Sequence, residues 1–116
     1  MANDDNELSE YLVGTWTEVQ ESPGLVVTLS HTHHKDGSWM LEASANYDGA
    51  ATLKNSATGT WRVEDGCLIT TVEKSDVEVM QTGDTFQDDI LIAVDGELHL
   101  MVGTTGETTV RTKIGD

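Results

Sequence analysis

The chain has 116 residues, enough for one domain and not for two. Its 21 Asp and Glu against 6 Lys and Arg give a formal net charge of -15, a field that repels nucleic-acid phosphates and anionic membranes and argues against nucleic acid as a partner. No apolar run approaches the roughly 20 residues of a membrane-spanning helix, and a single cysteine, Cys67, rules out an intramolecular disulfide.

The acids are spread along the chain and cluster no further than pairs such as Asp4-Asp5 and Asp88-Asp89. A solvated surface is the default reading of them, adaptation to salt the second, and a face for a cationic partner the third. Met1 to Asp5 has neither a basic start nor an apolar stretch, so the chain as it stands is expected in the cytoplasm; a trimmed mature form would be an exported protein.

From the N-terminus, Asp4 and Glu7 stand at capping-box spacing and Leu8, Tyr11 and Leu12 share one side, which predicts a short helix within residues 3–12 packing on the rest of the domain, residues 13–116. Beyond it the pattern changes to period two, rich in Thr and Val. Asp-Gly pairs at 36–37, 48–49, 65–66 and 95–96 mark hairpin turns, because both residues tolerate positive φ. Further turns are expected at Ser22-Pro23-Gly24, Gly83-Asp84 and Thr105-Gly106. Strands are expected over residues 13–21, 25–34, 38–46, 50–54 or 57–64, 67–74, 77–82, 85–94, 97–103 and 107–114. Such a meander with tight turns and no long crossover predicts an all-β, up-and-down antiparallel barrel of about eight strands, which hides its edges by closing. Alternation places Trp39, Leu41, Ala43 and Ala45 inside, with Ile90, Ile92 and Val94, and Leu98, Leu100 and Val102. With one Phe and many Thr, Ala and Gly, the interior has room for a cavity.

Leu12-Val13-Gly14-Thr15-Trp16, on the first strand after the helical turn, resembles the opening of a lipocalin-like barrel of the calycin group. Gly59-Thr60-Trp61, followed by Gly66-Cys67-Leu68, is similar to the mid-chain hairpin of small bacterial lipocalin-like domains. The resemblance implies that Trp16 plugs one barrel end and that Arg111, from the last strand, covers it through a cation-aromatic contact. It further implies a binding module for a small hydrophobic or amphipathic molecule.

Ser30-His31-Thr32-His33-His34 carries three of the four histidines. On a strand His31 and His33 share a face about 7 Å apart, as two ligands of one metal do; a third would come from His99 or Glu42. Read as the end of a hairpin, the same residues are solvated. Read as a continuation of the Leu25, Val27, Leu29 face, His31 and His33 point inward at a barrel mouth. Trp39, Tyr47 and Met101 join them as expected ligand contacts, while Trp61 reads as framework. No catalytic residue, cofactor or bound metal is assigned. Cys67 reads as structural, and Asp88 and Asp89 as solvated. The leading expectation is a non-enzymatic ligand-binding barrel. The alternatives are a small barrel enzyme using cavity histidines, with or without a metal, and an acidic protein-interaction module.

Overall fold

A computed structural model describes residues 4–48, 53–77, 80–103 and 105–115. It begins with helix α1 (Asp5–Leu12), whose N-cap Asp4 accepts a 2.8 Å hydrogen bond from the Glu7 backbone N–H, satisfying one of the donors that a helix start leaves free. Eight strands follow: β1 (Gly14–Ser22), β2 (Leu25–His33), β3 (Ser38–Tyr47), β4 (Leu53–Glu64), β5 (Cys67–Ser75), β6 (Thr85–Val94), β7 (Glu97–Val102) and β8 (Thr108–Gly115). Each pairs antiparallel with the next, and β8 pairs with β1 to close an up-and-down barrel. No described helix is long and apolar enough to cross a membrane.

The Asp-Gly turns at 65–66 and 95–96 have both residues at positive φ, 52° and 75° in the first and 54° and 75° in the second, so their twist matches that of the flanking strands. At 36–37 only Gly37 is positive, and the Asp36 side chain closes that turn by accepting from the Ser38 N–H and hydroxyl. Gly49 of the remaining pair lies outside the described residues.

Two expectations about strands are corrected. Of the expected strand 77–82, residues 78 and 79 lie outside the described residues, and the others belong to the loop joining β5 to β6. There the Ser75 hydroxyl accepts from the Val77 N–H and the Asp84 carboxylate from the Gln81 N–H. Donors that a strand would give to a neighbour are satisfied locally. Residues 53–64 form one continuous strand, with a register shift at Thr58/Gly59. A Cβ on Gly59 would fall 1.8 Å from the Thr71 carbonyl oxygen, so the strands approach as they do only because this residue has no side chain.

The inward residues Trp16, Trp39, Leu41, Leu68, Leu98 and Leu100 are buried, with Leu8 and Leu12 of α1 in the same core. The expected inward set Ile90, Ile92 and Val94 is broken by a register shift between Ile90 and Ile92. Ile92 and Val94 are exposed and Ala93 packs toward the core instead, because one extra residue reverses the alternation.

Helix α1 closes one end of the barrel. The Asp5 carboxylate accepts from the Asp65 and Gly66 N–H groups, and the Tyr11 hydroxyl donates to the Glu97 carbonyl while accepting from the Gly96 N–H. The helix is thereby bound to two hairpin turns of the same end, and the loops after β5 and β7 flank the other.

Candidate functional site

Between the plugged end and the loops at the opposite end lies a cavity of about 300 Å³. The period-two alternation of the strands decides its lining: Glu18 and Gln20 from β1, Leu29 and His31 from β2, Trp39 from β3, Thr70 from β5, Phe86 and Asp88 from β6, Val102 from β7, and Thr109 and Arg111 from β8. Met80, Thr105 and Glu107 complete it from the two loops. One side is apolar, and the other holds an ionic group. A larger depression of about 530 Å³ lies on the outside of β2, β3 and β4. Its walls are mostly hydroxyl, amide and charged side chains, and no buried unpartnered polar atom found among the described residues belongs to it.

Arg111 sits at the centre of the ionic group. Its Nε lies 3.4 Å from Glu18 Oε1, long for an N–H···O bond, and Glu18 Oε2 accepts from Gln20 Nε2 at 2.7 Å. Burial lowers the Arg111 pKa, with Glu18 and then Asp88 opposing; a guanidinium starts so high that it stays a cation. Asp88 is 8% exposed. Burial pushes its carboxyl above the usual range, and the Arg111 charge pulls the other way. The expectation that Asp88 is solvated is therefore corrected: β6 turns it inward, and Asp89 stays outside, where it accepts from the Cys67 thiol. That bond raises the thiol pKa, in keeping with an unreactive cysteine.

The contact expected between Arg111 and Trp16 is also corrected. Lys113 pairs with Trp16 across β1 and β8, and its Nζ lies 5.8 Å from the indole centroid. Arg111, two residues earlier, turns inward to Glu18. Trp16 is fully buried, donates from Nε1 to the Leu12 carbonyl at 2.9 Å and packs on Tyr11. Trp61, at the second Gly-x-Trp, is also buried, its Nε1 donating to the His34 carbonyl.

His31 and Trp39 line the cavity, their rings 6.4 Å apart. The histidines lie deep, toward the plugged end, and not at a mouth: His33 pairs with Gly14 and packs at 5.0 Å against Trp61, the two rings tilted, below the cavity. His31 is 5% exposed and His33 1%. Burial, and next the Arg111 charge, push the His31 pKa well down. The same two causes take His33 to about 3, against a raising influence of the nearby Leu12 carbonyl. Both rings are neutral near pH 7. Tyr47 and Met101 do not line the cavity. Tyr47 is 47% exposed at the far end of β3, and Met101 alternates with the buried Leu100 and so faces outward. No group of three His, Cys, Asp or Glu among the described residues is placed to hold a metal ion.

Glu18, Asp88 and Arg111 were absent from the expected site, although one signal pointed to the two carboxylates. If Trp16 and Phe86 face inward, residues two places along their strands do so too. No protein-family model matches the chain, and no curated protein matches it.

Proposed function

We propose that this protein is a lipocalin-like binding module that holds one small amphipathic molecule in the barrel cavity. The carrying observation is the division of that cavity into an apolar wall of Leu29, Trp39, Met80, Phe86 and Val102 and a buried polar wall of Glu18, His31, Asp88 and Arg111. A side-chain core alone gains nothing from four ionisable groups around a void, since each costs free energy to desolvate when charged. A bound molecule with one apolar and one polar part satisfies both walls. The Gly-x-Trp plug, the short capping helix and the closed eight-strand order support the lipocalin-like reading, with Lys113 in the place over Trp16 where Arg111 was expected.

At about 300 Å³ the cavity is at the small end for ligand sites. Counting about 30 Å³ per water-sized unit, it takes roughly ten non-hydrogen atoms. Native mass spectrometry of the purified protein is expected to show a retained organic mass of this size, absent from a Leu29→Trp variant whose indole fills the space. The reading fails if no organic molecule is retained and small amphiphiles leave the Trp39 indole NMR signal unmoved.

A further inference from the structure

His31 and Thr109 line the cavity, and each carries a polar atom that is buried with no hydrogen-bond partner among the described residues, His31 Nε2 and Thr109 Oγ1. Leaving such atoms unpaired costs about 1–3 kcal/mol each. A hydroxyl both donates and accepts, and a neutral imidazole nitrogen does one or the other according to its tautomer. A ligand hydroxyl therefore complements either, and a carbonyl complements whichever donates.

The charges nearby decide between head groups. Arg111 supplies one positive charge, already engaged by Glu18, and Asp88 adds a second carboxyl group. Burial favours the neutral acid at Asp88 and keeps His31 uncharged. The buried groups of the cavity thus sum to between zero and one negative charge, to which the exposed Glu107 of its loop wall adds one more, within a chain of net charge -15. A carboxylate ligand would bring a further negative charge to a guanidinium with none to spare. An ammonium ligand would be desolvated beside the buried Arg111.

Resting on the reading of the cavity as a binding site, we propose that it selects an uncharged amphiphile bearing a hydroxyl or carbonyl group, bonded to His31 and Thr109, and rejects carboxylates and amines of the same chain length. Titration calorimetry with 1-octanol, octanoate and octylammonium at about pH 7.5 tests this on the intact protein, all three being near the size that fits. The expected result is 1-octanol binding at least about tenfold more tightly than either ion. His31→Phe and Thr109→Val are each expected to weaken 1-octanol about fivefold or more, the effect of one lost hydrogen bond; the second keeps the side-chain shape if the first disturbs folding. Equal or tighter binding of octanoate or octylammonium overturns the head-group assignment and leaves the binding module standing. Absence of binding by all three overturns both.

Discussion

His33 is held in an environment far from that of the unfolded chain. Both ring nitrogens are buried and neither makes a hydrogen bond of good geometry, the nearby Leu12 carbonyl only partly opposing the shift, and its pKa falls to about 3 from an ordinary 6.5. Between those values the unfolded chain binds more protons than the folded one, so stability rises with pH through the window and is lost as pH falls below about 6.5. The slope from one such histidine reaches about 1.4 kcal/mol per pH unit, and His31 acts with the same sign. Asp88 acts oppositely: its raised pKa makes the folded chain the better proton binder above the ordinary carboxyl range, so acidification there stabilises. Urea unfolding of the wild type and of His33→Phe separates these effects, because the Asp88 contribution is common to both. The variant is expected to lose about 1 kcal/mol less per pH unit between pH 6 and 4. Parallel pH curves for the two proteins would show that the imidazole is not held neutral. At neutral pH the variant is expected to be no less stable, since a phenyl ring leaves no polar atom unpaired.

Among the elements, β4 and β5 depend on the absence of one side chain. Gly59 has no strained backbone angle to excuse, but a methyl group there would overlap the Thr71 carbonyl and force the strands apart. Gly59→Ala is expected to cost about 2–3 kcal/mol or more, in the range of an overpacked core, measured as a fall in the urea midpoint. Gly66→Ala meets no atom within 4 Å and is expected to cost only the strain of its positive φ, about 1 kcal/mol. Equal losses would remove the steric account of the β4–β5 shift. These elements also show where the sequence was readable. The Asp4 cap, the Asp-Gly turns at 36–37, 65–66 and 95–96 and most of the period-two runs are local signals that produced their helix, turns and strands. The shift at Ile90/Ile92 and the loop after β5 were not readable, because a bulge reverses alternation without any mark in composition and the loop is set by Ser75 and Asp84 bonding to backbone. The site was half readable for a related reason. His31 and Trp39 follow from alternation and residue type, whereas Glu18 and Asp88, though alternation with Trp16 and Phe86 turns them inward, are of a residue type that reads as exposed until the side chain facing them, here Arg111, is known.

At the scale of the molecule, a barrel with extents of 45 × 28 × 28 Å carries a net charge of -15. Like charges crowded on so small a body repel one another more in the folded state than in the expanded chain, so the compact form is weakened at low ionic strength. Added salt screens this repulsion, and most of the screening is complete when the Debye length falls to about 8 Å, near 0.15 M. The thermal midpoint is therefore expected to rise steeply from low salt to about 0.15 M KCl. What happens beyond that separates two origins of the acidity. Repulsion among ordinary solvated carboxylates predicts a plateau. Carboxylates that hold cations and water as part of the folded surface predict a further rise toward molar KCl, because binding to the folded state alone stabilises it by mass action. The Arg111–Glu18 pair should contribute little to either curve, since buried charges are screened much less than exposed ones. The same titration on Arg111→Met is thus expected to run parallel to the wild type at a lower midpoint, the buried carboxylates having lost their cation at a cost of about 3–5 kcal/mol. A midpoint for the variant that converges on the wild type in molar KCl would mean that salt reaches the cavity and that the polar wall is open to solvent.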